Sequence, residues 1–318
     1  MEAYARRIGS PVDSLIRLIS SSGKVIASND DCKDASMGLL THHSDSYISA
    51  KLPSAGTYFV QISDSQHKGG ENFGYYLRIS SKQPDFALRI SPSSINIPGS
   101  TALVTVNAFR GDGWNGDIDI ALKNAPTGFV LSGARIPAGR DSVRMTLAGP
   151  LFRSKQPVSL ILEGSASIGG KTVTRPALPA DNLMQAFAYQ HLVPSQQLLA
   201  MVTAGQNAFN ISRNSNGTLQ IPSGGQVELS FSIKPKPNTP IQLELNNPPP
   251  GITLQDTKST PDGIICTIKA DSSHAGYTDN LIIEAFTDVS KNTKGKTPAK
   301  KRVSIGVLPA VNFEIVKK

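Results

Sequence analysis

Residues 118–131, IDIALKNAPTGFVL, return at 241–254 as IQLELNNPPPGITL. Apolar residues recur at every second position, Ile118, Ile120 and Leu122 in the first copy and Ile241, Leu243 and Leu245 in the second. Alternation with period two is the pattern of a strand with one buried face. Each strand then meets a Pro-x-Gly or Pro-Pro-Gly turn, where proline fixes φ and removes a backbone donor, before another strand begins. The correspondence extends outward in the same order. INIPGSTALVTVNAF (95–109) matches LQIPSGGQVELSFSI (219–233), VSLILE (158–163) matches LIIEA (281–285), and TVTRPALP (172–179) matches RVSIGVLP (302–309) more loosely. Two copies, each near domain size, predict β-domains strung in series rather than a solenoid.

The chain of 318 residues is long enough for two or three cores. Aromatics are few, and Gly, Pro, Ser and Thr are abundant, which suits short strands joined by tight turns. No apolar run is long enough to span a bilayer, and MEAYARRIGS lacks the apolar core of a secretory signal. The net charge of +8 is uneven. Residues 1–81 balance eight Lys/Arg against eight Asp/Glu, so the surplus lies in the two repeats, much of it in Lys291–Arg302, KNTKGKTPAKKR. That segment is expected as a basic hairpin loop, either solvated or a contact for anionic polymer. No aromatic interleaves its lysines, so base stacking is unsupported and no nucleic-acid partner is expected. Cys32 and Cys266 fall in different expected domains and are read as free thiols.

Ahead of the repeats, residues 5–19 (ARRIGSPVDSLIRLI) read as a strand, a turn and a second strand, with a hairpin turn at Gly23. SNDDCKDASMG (28–38) is polar and turn-rich; DSYISAKL (45–52), TYFVQIS (57–63) and YYLRI (75–79) read as further strands. This is an antiparallel β-sandwich pattern. The succession SPVDSLIRLISSSGKVIASNDD, DSYI, AGTYFVQISD and GGENFGYYLRIS resembles the bacterial pre-peptidase C-terminal (PPC) domain, a secreted jelly-roll-like sandwich found beside extracellular peptidases and in large surface proteins. Members of that family have strands before the Ala-Arg-Arg segment, so the resemblance implies an N-terminally truncated module. PDFALRISPSSINI, AFRGDGWNGDIDI and ARIPAGRDSVRMTL resemble the immunoglobulin-like domain that follows the module in planctomycete-type surface proteins, as does RPALPADNLMQAFAYQHLVPSQQLL (175–199).

The expected fold is therefore all-β, with three tandem antiparallel sandwiches. Residues 1–81 form the PPC-like module, 85–180 and 205–318 the two Ig-like domains, and 181–204 a linker with a short helical turn near 181–191.

The acidic residues Asp13, Asp30, Asp31, Asp45 and Asp64 are the candidate metal ligands. Ca²⁺ takes six to eight hard oxygen ligands, and loop carboxylates with carbonyls supply them. Some relatives of the PPC domain bind calcium this way, so the resemblance adds weight. The competing role is turn chemistry, in which Asx side chains accept from their own backbone. RGDGWNGDID (110–119) misses the EF-hand pattern, and its Asp-Gly and Asn-Gly pairs point to a hairpin. Trp114 is expected to pack the sandwich end. His42 and His43 are adjacent and would point to opposite faces of a strand, which disfavours a shared zinc site.

No nucleophile elbow, H-E-x-x-H or P-loop is present, so no catalytic residue is expected. The expected function is a non-catalytic, secreted or surface segment for attachment, spacing or binding of an extracellular polymer or protein. The alternatives are an accessory region of a secreted peptidase and a carbohydrate-binding module, the latter weakened by the scarcity of aromatics.

Overall fold

A computed structural model of the chain describes residues 1–31, 44–98, 101–184, 190–203, 209–235, 239–291 and 299–317. Among the described residues the protein is nearly all β, with its strands in tandem sandwiches. It divides into two compact units. The first comprises Met1–Ala87, Phe109–Trp114 and Met184–Leu192, and the second Leu88–Ala108, Asn115–Leu183 and Val193–Lys318.

The first unit contains β1 (Glu2–Tyr4), β2 (Ser14–Ser20), β3 (Val25–Asn29), β4 (Tyr58–Asp64) and β5 (Tyr76–Arg78). One sheet has the order β3-β2-β4, and β1 pairs with β5 in a second. Its core is small: Ala3, Ile16 and Ile48 are buried, with Val60, Ile62 and Leu77 packed against them. Phe59, Tyr76 and Ile79 remain largely exposed. Two expected strands take other forms. Arg6–Ile8 is a 3₁₀ turn instead of a strand, because the Asp45 carboxylate accepts its leading N–H groups. DSYISAKL contributes only a bridge from Tyr47 to Glu2.

The remaining strands lie mostly in the second unit, with parts of Asp85–Ser91, Thr101–Gly111, Lys171–Met184 and Gln190–Pro194 in the first. The first repeat has β6 (Asp85–Ser91), β7 (Ser94–Ile97), β8 (Thr101–Gly111), β9 (Ile118–Leu122), β10 (Val130–Ser132), β11 (Arg135–Ile136), β12 (Ser142–Ala148), β13 (Val158–Leu160), β14 (Leu162–Ile168), β15 (Lys171–Met184), β16 (Gln190–Pro194) and β17 (Leu198–Val202). The second has β18 (Asn210–Arg213), β19 (Leu219–Pro222), β20 (Gln226–Lys234), β21 (Ile241–Leu245), β22 (Ile252–Thr260), β23 (Gly263–Ala270), β24 (Thr278–Leu281), β25 (Ile283–Lys291), β26 (Ala299–Val307) and β27 (Val311–Val316). One sheet of the first repeat has the order β10-β12-β8-β6-β15-β14-β9-β11, and the other β13-β17-β7. The second repeat has β18-β20-β23-β22, β19-β27-β24 and β21-β25-β26.

The sequence repeat is a structural repeat at the level of single residues. β9 and β21 bury the same alternate positions, Ile118 with Ile120 and Ile241 with Leu243. A strand changes sheets at Ile161 in the first copy and at Ile282 in the second: β13 pairs with β17 while β14 pairs with β9, and β24 pairs with β27 while β25 pairs with β21. In each copy a late strand lies parallel to an early one, β17 beside β7 and β27 beside β19.

That equivalence corrects the expected linker at 181–204. Leu198, Ala200 and Val202 are buried at alternate positions, and β17 closes the first sandwich as β27 closes the second. Of the helical turn expected near 181–191, residues 181–184 belong instead to β15 and 190–191 to β16, and 185–189 lie outside the described residues. The Asp-Gly turn at Asp112 and Gly113 has the positive φ values expected of it, but it does not close a hairpin. β9 pairs instead with β14 and β11.

The turn after β9 and that after β21 both place glycine in the left-handed region, Gly128 at φ 88° and Gly251 at φ 77°. A Cβ on Gly251 would also collide with the Asp271 carboxylate. Gly251→Ala is therefore expected to cost about 2 kcal/mol, from left-handed strain plus overlap. Chemical denaturation should show the loss, and an unchanged midpoint would disprove it.

Candidate functional site

The densest polar chemistry in the second unit lies where the two repeats meet. Five polar residues of that unit are buried among those described, namely Ser91, Ser93, Thr101, Thr146 and Asn280. Three of them bond from one repeat to the other. The Asn280 side chain, 3% exposed, donates through Nδ2 to the Gly133 carbonyl at 2.7 Å and to the Arg144 carbonyl at 2.8 Å. Both partners are acceptors, so the amide nitrogen must face them. Its Oδ1 is buried without a partner among the described residues. The Thr146 hydroxyl accepts from the Ala310 N–H at 2.8 Å, and the Thr101 hydroxyl donates to the Val307 carbonyl.

Around this buried set lie charged contacts. Arg140 pairs with Asp279, donates to the Tyr277 hydroxyl at 2.5 Å and places its guanidinium 4.7 Å from that ring's centre. Arg144 donates to the Asn246 Oδ1 at 2.6 Å and to the Asn246 and Asn247 carbonyls at 2.7 and 2.6 Å. A guanidinium offers a planar fork of donors, so one side chain clamps three acceptors on a turn. Gly133 sits in the left-handed region at φ 74°, and a Cβ there would overlap the Asn280 amide and Ala310. The glycine therefore serves both the backbone turn and the approach of Asn280.

The five carboxylates expected to hold calcium are placed as follows. Asp45 is fully buried and accepts the N–H groups of Ala5, Arg6 and Arg7 and the Arg7 Nε, the last at 2.7 Å. Asp64 accepts from the N–H groups of Asp13, Gln66 and Lys68. Asp13 accepts from the Ser65 hydroxyl, and Asp30 from the N–H of Asp31. The structure thus brings Asp13 beside Asp64 while Asp45 pairs with Arg7. Among the described residues no group of three His, Cys, Asp or Glu is arranged to hold a metal ion. His42 and His43 lie outside the described residues, as does Cys32. Cys266 is a buried free thiol, pushed up to about 12 by desolvation.

Other motifs resolve into local structure. Asp112 of the Arg-Gly-Asp triplet accepts from the Tyr47 hydroxyl and the Gln83 N–H, both at 2.6 Å. Trp114 stacks on Phe86 at 5.4 Å, and Arg110 lies 5.0 Å from its ring centre. Asp271, Ser273 and His274 cluster within hydrogen-bonding distance, but Ser273 and Asp271 both engage His274 Nδ1. A Ser-His-Asp relay needs the two ring nitrogens to serve different partners, so this is a local turn. The basic loop joins β25 to β26 in an antiparallel hairpin. Residues 292–298 lie outside the described residues, while Arg302 pairs with Glu244 at 2.7 Å and covers the Phe286 ring at 3.8 Å. No helix of the described residues is long and apolar enough to cross a membrane.

No protein-family model and no curated protein matches the sequence. Among solved structures, the tandem Ig repeats of Dlar align at 15% identity with a TM-score of 0.24, over 75% of this chain and 100% of that one.

Two outcomes are expected. Asn280→Ala strips one buried and one partly buried carbonyl of their donor and should cost about 2 kcal/mol in denaturant unfolding; a cost within error of zero would show that water replaces the amide. For Asp45, burial pushes the carboxyl up, but Arg7 and the N–H groups of Arg6, Arg7 and Ala5 outweigh it and hold the carboxyl below its usual range. A depressed folded-state value gives stability that is present above the unfolded pKa of about 3.9 and is lost as pH falls through the folded value. Acid titration of the first unit's unfolding should show that loss, and Asp45→Asn should remove it while lowering stability at neutral pH.

Proposed function

We propose that the chain is a non-catalytic, secreted or surface-exposed segment whose paired Ig-like repeats act as a stiff spacer, presenting the PPC-like module and the basic β25–β26 loop to an extracellular polymer or protein. The observation that carries this reading is the buried Asn280 amide, which spans the repeats and would lose both acceptors if they swung apart. Buried polar groups without partners are costly, so the junction favours one relative orientation of the repeats. Arg140 and Arg144 reinforce it at the rim. A flexible tether would have a polar, solvated connection instead, with few bonds crossing it. The PPC-like character of the first unit and its export rest on the sequence resemblance alone.

The test is a distance distribution between spin labels at Lys123 and Lys258, exposed positions on different repeats. Cys266 is buried and its thiol is held protonated, so it leaves introduced cysteines free to take the label once Cys32 is changed to serine. One narrow distribution is expected, which Gly133→Val should broaden or shift. A broad distribution in the parent protein would overturn the spacer reading.

A further inference from the structure

A cleft of 620 Å³ opens at the same junction. Val130, Leu131 and Ser132 line it from one side and Asn210, Ile211, Ser212 and Arg213 from the other. A strand that offers its face to a cavity contributes alternate residues; runs of consecutive residues mean that the backbone edge is turned toward it. Both runs are edge strands. β10 ends its sheet beside β12, and β18 ends its sheet beside β20.

The ladders show which groups are left over. Asn214 donates to the Ser230 carbonyl, so the bonded positions along β18 are the alternate ones, including Ser212 opposite Ser232. Ile211 and Arg213 therefore direct their N–H and C=O away from β20. On β12, Asp141 accepts from Ala108 of β8, so Thr146 and Ala148 bond to Ser132 and Val130. Leu131 directs its backbone groups outward in turn. Among the described residues two open ladders thus border one cleft, and unpaired edges of this kind template added strands.

Charge narrows the occupant. Among the described residues no acidic side chain lines the cleft, whereas Arg135 and Arg213 do. Arg135 is already paired with Asp117 at 2.6 Å, whereas Arg213 donates through Nη1 to the Gly217 carbonyl at 2.6 Å and has no acidic partner among the described residues. Val130, 57% exposed, offers an apolar contact alongside.

We infer that this cleft binds an extended, acidic peptide segment as an added strand between β10 and β18, with a carboxylate on Arg213. Main-chain bonds to Leu131, Ile211 and Arg213 would supply affinity, and alternate side chains specificity. The inference rests on the spacer reading in one respect: both edges must be held at a fixed separation.

The probe is a fluorescein-labelled peptide of about eight residues alternating Thr and Glu, titrated into the full-length protein. Binding should appear as a rise in anisotropy that weakens with salt, and the amides of Leu131, Ile211 and Arg213 should gain protection from hydrogen exchange. The Lys-for-Glu counterpart, and Arg213→Glu with the acidic peptide, should each bind at least about tenfold more weakly. Leu131→Pro removes one outward donor from an edge strand, where proline is tolerated; it should weaken binding with the fold retained, and it guards against misfolding of the arginine variant. Equal binding of a peptide N-methylated at alternate amides would overturn strand addition. So would absence of binding, or concentration-dependent dimerisation that protects the same amides, which would make a second copy the occupant. A narrow spin-label distribution without peptide binding would sink this inference alone and leave the spacer intact.

Discussion

The buried amide nitrogen of Asn280 needs acceptors inside the junction between the repeats, and the arrangement of the second unit follows from that requirement. Asn280 reaches two carbonyls, one at the Gly133 turn and one on β12, both in the repeat that precedes its own. Both bonds are directional, so both depend on the angle between the repeats. An apolar junction would have gained more from burial, since polar groups cost free energy to dehydrate, but apolar contacts are nondirectional and tolerate sliding. Buried hydrogen bonds trade some stability for one geometry. The left-handed Gly133 belongs to the same constraint, because only a residue without Cβ lets the amide approach.

The carboxylates of the first unit illustrate a different demand. A small sandwich with few fully buried side chains leaves many chain ends and turns without backbone partners. Asp45 and Asp64 each satisfy three backbone N–H groups. Acidic residues at turns read equally well from sequence as metal ligands or as turn acceptors, because both roles ask for short side chains with oxygen at strand ends. Spacing cannot distinguish them. Which lone pairs are already occupied is a three-dimensional property, and for Asp45 the deciding neighbour, Arg7, is remote in sequence.

Strands and repeats were legible because burial imposes period two on the residues themselves, as in β9 and β21. The failures have local causes. DSYISAKL alternates without a partner strand along its length, and alternation alone does not make a ladder. QQLLAMV reads as linker because it follows a weakly patterned stretch, although Leu198, Ala200 and Val202 carry the same alternation used elsewhere. Its role emerges only from the parallel pairing with β7, a long-range contact.

The junction did leave a mark in the sequence, in the difference between copies rather than in their likeness. Aligning the sheet-changing strands at Leu160 and Leu281 sets Ser159 opposite Asn280. Ser159 is exposed and Asn280 is buried, at equivalent positions of otherwise equivalent strands. A polar side chain that becomes larger and buried in one copy alone signals a partner that only that copy has. The same comparison explains why the chain does not read as a solenoid. A stacking repeat must carry both halves of its interface in every copy, whereas here the donor belongs to the second repeat and the glycine turn that admits it to the first. The interface is heterologous, and the cleft beside it has one edge strand from each repeat.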